Sequence, residues 1–161
     1  MKEIDLTIHL DEIDVAALLA FWRWLVPEDY RPIQMNKFGD WFFVASDGQV
    51  IMLDLLEGDL TPIAGTIQEF DQRKNLPNQH NDWFLDGFVF RCESEGLILS
   101  KGQCYGWQVH PIIGGEMKFE NIQVFDLSVY QSLMSQLLPQ WKRLKPGDPI
   151  PEIKIVEEPN N

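Results

Sequence analysis

Positive charge is scarce in this chain. Thirteen Lys and Arg stand against 25 Asp and Glu, which leaves a net charge of −12 over 161 residues. Nucleic-acid binding needs clustered cations to displace phosphate counterions, so that class of function is excluded. An anionic membrane repels such a chain for the same reason, whereas a basic protein is attracted to it. Cysteine is scarce too. Cys92 and Cys104 are too few for a disulfide framework and read as free thiols of a cytosolic protein. The three histidines, His9, His80 and His110, are scattered, and no HxxxH, HExxH or CxxC spacing occurs. No metal and no cofactor are expected. Long apolar runs are absent: the longest, Val15 to Val26, carries Arg23 and falls short of the roughly 20 residues that span a bilayer. The chain opens Met-Lys-Glu-Ile-Asp-Leu-Thr-Ile, without a basic-then-apolar leader. These features together predict a soluble cytoplasmic protein without repeats or low-complexity blocks.

Large rings are plentiful. Hydrophobic residues make up 45% of the chain, with six Trp and ten Phe, a composition that builds one domain on aromatic packing. Asp11, Glu12 and Asp14 precede a helical pattern from Val15 to about Val26, with Leu18, Phe21, Trp22 and Leu25 on one face. Pro27 ends it, and Glu28 to Lys37 reads as a loop. Trp41 to Ala45 and Val50 to Leu55 are apolar runs joined by Ser46-Asp47-Gly48-Gln49, a hairpin signal. Alternation sends Trp41 and Phe43 to one side and Phe42 to the other, as in a sheet covered on both faces. Glu57-Gly58-Asp59 reads as a turn, and Ile63 and Ala64 as a third short strand. Thr66 and Glu69 have capping-box spacing at the start of a helix to about Lys74.

Asn75 to Asn81 reads as a loop. Asp82 to Glu95 fits a helix ended by Gly96, although Phe88-Val89-Phe90 alone also fits a strand. Leu97 to Leu99 and Gln103 to Val109 read as strand material around a Lys101-Gly102 turn. Asn121 to Asp126 alternates as a half-buried strand. Ser128 and Gln131 have the spacing of a second capping box. The helix it opens carries Val129, Leu133 and Leu137, with Pro139 expected to end or kink it near Leu138. Pro146 to Pro149 is a stop, and Glu152 to Glu157 is a strand or a loose tail. The order predicts a single α+β domain over 1–161, with a mostly antiparallel or mixed sheet flanked by helices.

Candidate chemistry is sparse. Cys104 and His110 as a nucleophile–base dyad lie about 20 Å apart if they share a strand at ~3.3 Å per residue, against the ~3 Å a proton transfer needs. His80 with Asp82 reads as a solvated loop. Gly114-Gly115 lacks the companions of a phosphate loop and reads as a tight turn needing positive φ. Trp107 reads either as core or as an exposed anchor. A monomer of this mass exposes roughly 8,000 Å² and a standard interface takes about 800 Å² per partner, so an even charge spread puts about one net negative charge in a patch. Steering therefore needs a local cluster. Asp54, Glu57 and Asp59, around a turn with no base nearby in sequence, are the one candidate.

One pattern goes beyond composition. Residues 103–116, Gln-Cys-Tyr-Gly-Trp-Gln-Val-His-Pro-Ile-Ile-Gly-Gly-Glu, combine with Asn121, Asp126, Ser128 and Gln136 downstream. Upstream, Phe38-Gly39-Asp40-Trp41-Phe42-Phe43 and Asp47-Gly48-Gln49-Val50 belong to the same pattern. The combination, over about residues 20–148 with a tail from 149, resembles the C-terminal-domain family of type VI secretion immunity proteins, which protect a cell from a sibling's DNase toxin. It is also similar to the SUKH immunity superfamily, which includes a fungal glucan-synthesis regulator. The resemblance implies a SUKH-like α+β fold, a helix over 82–95, and a non-enzymatic module without catalytic residues. It implies a protein partner, a basic toxin domain, with a general regulatory interaction module as the alternative. Gly39, Asp40, Trp41, Asp47, Gly48, Cys104, Tyr105, Pro111, Gly114, Gly115 and Asn121 are then residues of the fold, and Asp54, Glu57, Asp59 and Trp107 the candidate contacts.

Overall fold

Asp47 and Gly48 turn the chain between two strands, as their sequence predicts. In the computed structural model, which describes residues 4–145 and 147–149, β2 (Trp41–Val44) pairs antiparallel with β3 (Val50–Leu53), with Val44 opposite Val50 and Trp41 opposite Leu53. The Asp47 carboxylate accepts the Gln49 N–H at 3.0 Å and closes the loop. β1 (Arg31–Met35) and β4 (Leu60–Ala64) flank the hairpin in a four-stranded antiparallel sheet of order β1-β2-β3-β4. The 28–37 stretch is therefore not all loop. Pro32 lies in one edge strand and Pro62 in the other, where a missing N–H costs no interior ladder bond.

Strand alternation sorts the rings as expected. Trp41, Phe43, Ile51 and Leu53 bury on one face, against α1 (Val15–Ala20) and α5 (Leu127–Lys142). Phe42, Val50 and Met52 bury on the other, against Phe70 of α2 (Ile67–Arg73) and Trp83 and Phe84 of α3 (Pro77–Phe84). A second, two-stranded antiparallel sheet pairs β5 (Gln103–Trp107) with β6 (Ile122–Asp126). It packs with α4 (Asp86–Ser94) in a third cluster around Phe38, Tyr105 and Trp107. The fold is α+β, as the sequence predicts.

Several elements differ from their sequence reading. The first helix is shorter than 15–26: beyond Ala20 the chain continues in tight turns, with Val26 N–H donating to Trp22 O at 2.7 Å. Residues 77–81 are helical because Pro77 occupies the first helical position and Trp83 and Phe84 pull the segment onto the sheet. The 82–95 helix exists but is broken at Leu85, whose left-handed backbone (φ +51°) divides α3 from α4. Leu97 to Leu99 form no strand, and β5 stops at Trp107. The α5 cap is Asp126, which accepts the Val129 N–H at 3.0 Å, while Ser128 lies inside the helix. Val129 is exposed, and the buried stripe runs through Leu127, Tyr130, Met134, Leu137, Leu138 and Trp141. The helix passes Pro139 because Leu138 and Trp141 on either side of it are buried in the core. Beyond Lys142 the Asp148 N–H donates to Lys145 O at 2.9 Å, and Pro146 of the expected stop lies outside the described residues. The 152–157 segment lies outside the described residues.

Candidate functional site

The two motif segments meet inside the protein on a single residue, Leu55. Asp40 follows Gly39, which holds a positive φ of +87° just before β2. Its Oδ1 accepts the Leu55 N–H at 2.7 Å, and its Oδ2 accepts the Asn36 side-chain amide at 2.8 Å. From the other segment, His110 Nε2 donates to Leu55 O at 2.7 Å, and His110 Nδ1 accepts the Ile112 N–H at 3.1 Å. Asn36 is itself saturated: its Oδ1 accepts the Phe38 and Asp40 N–H groups, and its amide also donates to Trp83 O. Burial raises the Asp40 carboxyl to about 7 against the bonds from Asn36 and Leu55 that favour its charge. Burial holds the His110 imidazole below its ordinary value. Both histidine nitrogens are committed to the backbone, so His110 is a structural group.

Gln131 organises a second buried set. Its Oε1 accepts the indole N–H of Trp22 at 2.7 Å and of Trp41 at 2.8 Å, and its amide donates to Gly39 O at 2.8 Å. A Cβ on Gly39 would lie 2.7 Å from that amide. Asn121 plays a similar part near the surface. It accepts the Val109 N–H at 3.0 Å and donates to Val109 O at 2.7 Å and Glu116 O at 2.8 Å, which ties down the 109–116 loop. Pro111 starts the 3-10 turn of that loop and Gly114 ends it at φ +102°. Gly115 has no positive φ. It is needed because a Cβ there would fall 1.7 Å from Val109 O. The turn reading thus holds for Gly114, and close approach explains its neighbour.

The acidic turn follows directly from Leu55. Asp54 accepts the N–H groups of Leu56 (3.0 Å) and Glu57 (2.8 Å), and Gly58 N–H returns to Asp54 O at 2.8 Å. Asp54 is therefore a half-buried turn former whose carboxyl is pushed up by burial. Asp59 forms an ion pair with Lys142 from the last turn of α5. A base does stand beside this turn, contrary to the sequence reading. It comes from 83 residues away, brought there by α5 packing. Glu57 is left as the acid of the three that is exposed and outside any ion pair among the described residues. Trp107 is 5% exposed, packed against Phe38 and Phe88, and is core rather than a surface anchor. The most exposed tryptophan is Trp24, at 56%.

The remaining candidates fall into structural roles. Cys92 and Cys104 are free and buried, and burial raises both thiols, Cys92 to about 11. Tyr105 donates its hydroxyl to Leu97 O. His80 pairs with Asp86 at 3.0 Å rather than with Asp82. No group of three or more metal-ligating side chains occurs among the described residues. A shallow cleft of about 370 Å³ lies between the N-terminal segment and β1. Its Asp5, Lys74, Asn75 and His80 are all bonded to protein groups. Gln131 and Asn36 were the functional surprises of the interior. Gln131 was legible only as the end of an apparent capping box, and Asn36 carried no signal.

Residues 64–138 match the family model described as T6SS immunity protein Tdi1, C-terminal. That segment runs from the last residue of β4 to Leu138 in α5 and includes Cys104, Tyr105, Trp107, His110, Pro111, Gly114, Gly115, Asn121 and Gln131. The match bears out the resemblance read from the sequence for this segment. Gly39, Asp40, Trp41, Asp47 and Gly48 lie outside it. Among solved structures, the chain is similar to the crystal structure of Atu4351 from Agrobacterium tumefaciens, at 17% identity and a TM-score of 0.49, covering 74% of this chain and 62% of that one. The chain thus spans less than two thirds of that protein. No curated protein matches. No described helix is long and apolar enough to cross a membrane.

Proposed function

We propose that this protein is a type VI secretion immunity protein that neutralises a cognate toxin, a basic nuclease-type domain, by binding and occluding it in the cytoplasm. The family match over residues 64–138 carries the reading. The burial of the motif residues supports it. His110, Cys104 and Asp40 are committed to the interior, which leaves the surface free to vary with the partner. The net charge of −12 supports a basic partner, and Glu57 at the tip of the 54–59 turn is the exposed acid we place in the contact, beside Asp54 and Asp59. Attraction of this kind acts mainly on the association rate. The on-rate should therefore fall with salt, as the Debye length shrinks from ~10 Å at 0.1 M to ~3 Å at 1 M. Co-expression with the toxin candidate encoded beside this gene is the test. Survival and a salt-sensitive complex are expected. Cell death despite abundant soluble protein, with no complex at low salt, overturns the reading for that pair and favours a general interaction module.

A further inference from the structure

Asp54 and the Asp59–Lys142 pair close the 54–59 turn, and within it both polar groups of Leu55 are gripped by titratable side chains from distant parts of the chain. Asp40, at the entry to β2, takes its N–H, and His110, at the start of the 111–113 turn, takes its C=O, each at 2.7 Å. Leu55 is 3% exposed, so neither bond competes with bulk water. Two residues on, Glu57 is exposed. The grip is directional. The Asn36 amide cannot turn round, because its oxygen already accepts two backbone N–H groups, so it fixes which Asp40 oxygen faces Leu55. The Ile112 N–H fixes the His110 tautomer by occupying Nδ1, which leaves the proton on Nε2 facing Leu55 O.

We propose that Asp40 and His110 form a two-sided latch on Leu55 that, with Asp54, sets the conformation of the 54–59 turn and holds Glu57 outward. Both are positioning residues, acting on a partner through the turn. That last consequence rests on the function proposed above, whereas the latch itself does not. A latch of this kind answers to pH. Asp40 faces Asn36 and the Leu55 N–H, with Asp54, Cys104 and Tyr130 as its titratable neighbours. His110 faces Leu55 O, the Ile112 N–H and the Trp141 ring, with Asp54 as its charged neighbour. Protonating Asp40 turns a charge-assisted bond to Leu55 into a neutral one. Protonating His110 sets a second donor against the Ile112 N–H.

Hydrogen exchange of the full chain tests the latch without any partner. His110→Asn keeps an oxygen to cap Ile112, since Asn is a favoured cap, but is too short to reach Leu55 O. Protection of the amides of residues 55–58 should then fall about tenfold, the loss of one hydrogen bond, while the β2–β3 hairpin keeps its protection. In the wild type, protection of 55–58 should step across the carboxyl titration of Asp40, and Asp40→Asn should remove that step. If Asp40→Asn does not fold, the wild-type step and His110→Asn decide. Turn amides as protected in His110→Asn as in the wild type overturn the latch, and so does an equal loss across the whole sheet. Loss of partner binding by Glu57→Lys with an intact exchange pattern bears on the surface reading alone.

Discussion

The polar interior and the acidic turn adjoin each other, and they obey different physics. Around Gln131, Asn36, Asp40 and His110, each bond is made away from water, and removing one partner strands the others. Trp141 Nε1 is the one buried side-chain polar atom without a partner among the described residues. At the turn, Glu57 has water as its alternative partner, so changing it leaves stability nearly untouched. The motif residues thus concentrate where substitution is costly, and Glu57, the contact proposed above, sits where it is cheap.

The comparison breaks most sharply at Gln131. Gln131→Leu keeps the volume but orphans two indole N–H groups and the Gly39 carbonyl, at ~1–3 kcal/mol each. Chemical denaturation should show a loss of several kcal/mol, and a loss under about 1 kcal/mol would refute the interior account. Gly115→Val comes next. It must push back the Val109 carbonyl, so its melting temperature should fall further than that of Gly114→Val, which meets open space and costs only backbone strain of ~1–3 kcal/mol. The reverse order would undo the close-approach explanation.

A pH series gives a smaller effect with a defined sign. Asp40 has its folded pKa raised to about 7 from 3.8, so the folded state holds a proton that the unfolded state has lost. Its contribution to stability is present at low pH and is lost as pH rises through 7. His110, lowered from 6.5, works the other way, mainly below 6.5 and fading within about one unit above it, so it only partly offsets Asp40. Between pH 6.5 and 7.5 stability should therefore fall with rising pH, by less than about 1 kcal/mol. The exposed His9–Asp5 pair has the same sign, so the slope lost in Asp40→Asn isolates the carboxyl. A slope unchanged in that variant would show Asp40 ionised throughout. The smallest change in stability is expected for Glu57→Lys, within about 0.5 kcal/mol. Its association with a basic partner should nonetheless slow and lose salt dependence. An unchanged on-rate would remove the turn from the interface.

Legibility followed the range of the interactions. The Asp47-Gly48 hairpin, the Thr66 cap and the opposite facing of Trp41 and Phe42 were readable because each depends on residues within a few positions. Residues 77–81 of the loop assigned to 75–81 are helix because Trp83 and Phe84 dock on Phe70 and Phe42, contacts invisible along the chain. Ser128 resembled a cap, yet Asp126 does the capping, since a spacing rule does not say which oxygen reaches the N–H. Of the candidate contacts, Trp107 proved buried because Phe38 and Phe88 close over it, and Asp59 proved paired because α5 ends beside it.

By itself, the sequence determined the class of protein: acidic, rich in large rings, α+β, without a catalytic or metal-binding spacing, and bearing a family-like pattern over about residues 20–148, of which 64–138 match the family model. Composition and short-range pattern suffice for that, because charge, alternation and turn chemistry are local properties. Only the tertiary structure decided which of these residues meet. It brought Asp40 and His110, 70 positions apart, onto the two sides of Leu55, and it placed Lys142 on Asp59. A buried hydrogen bond depends on which groups are excluded from water together, and that is fixed by packing across the whole domain.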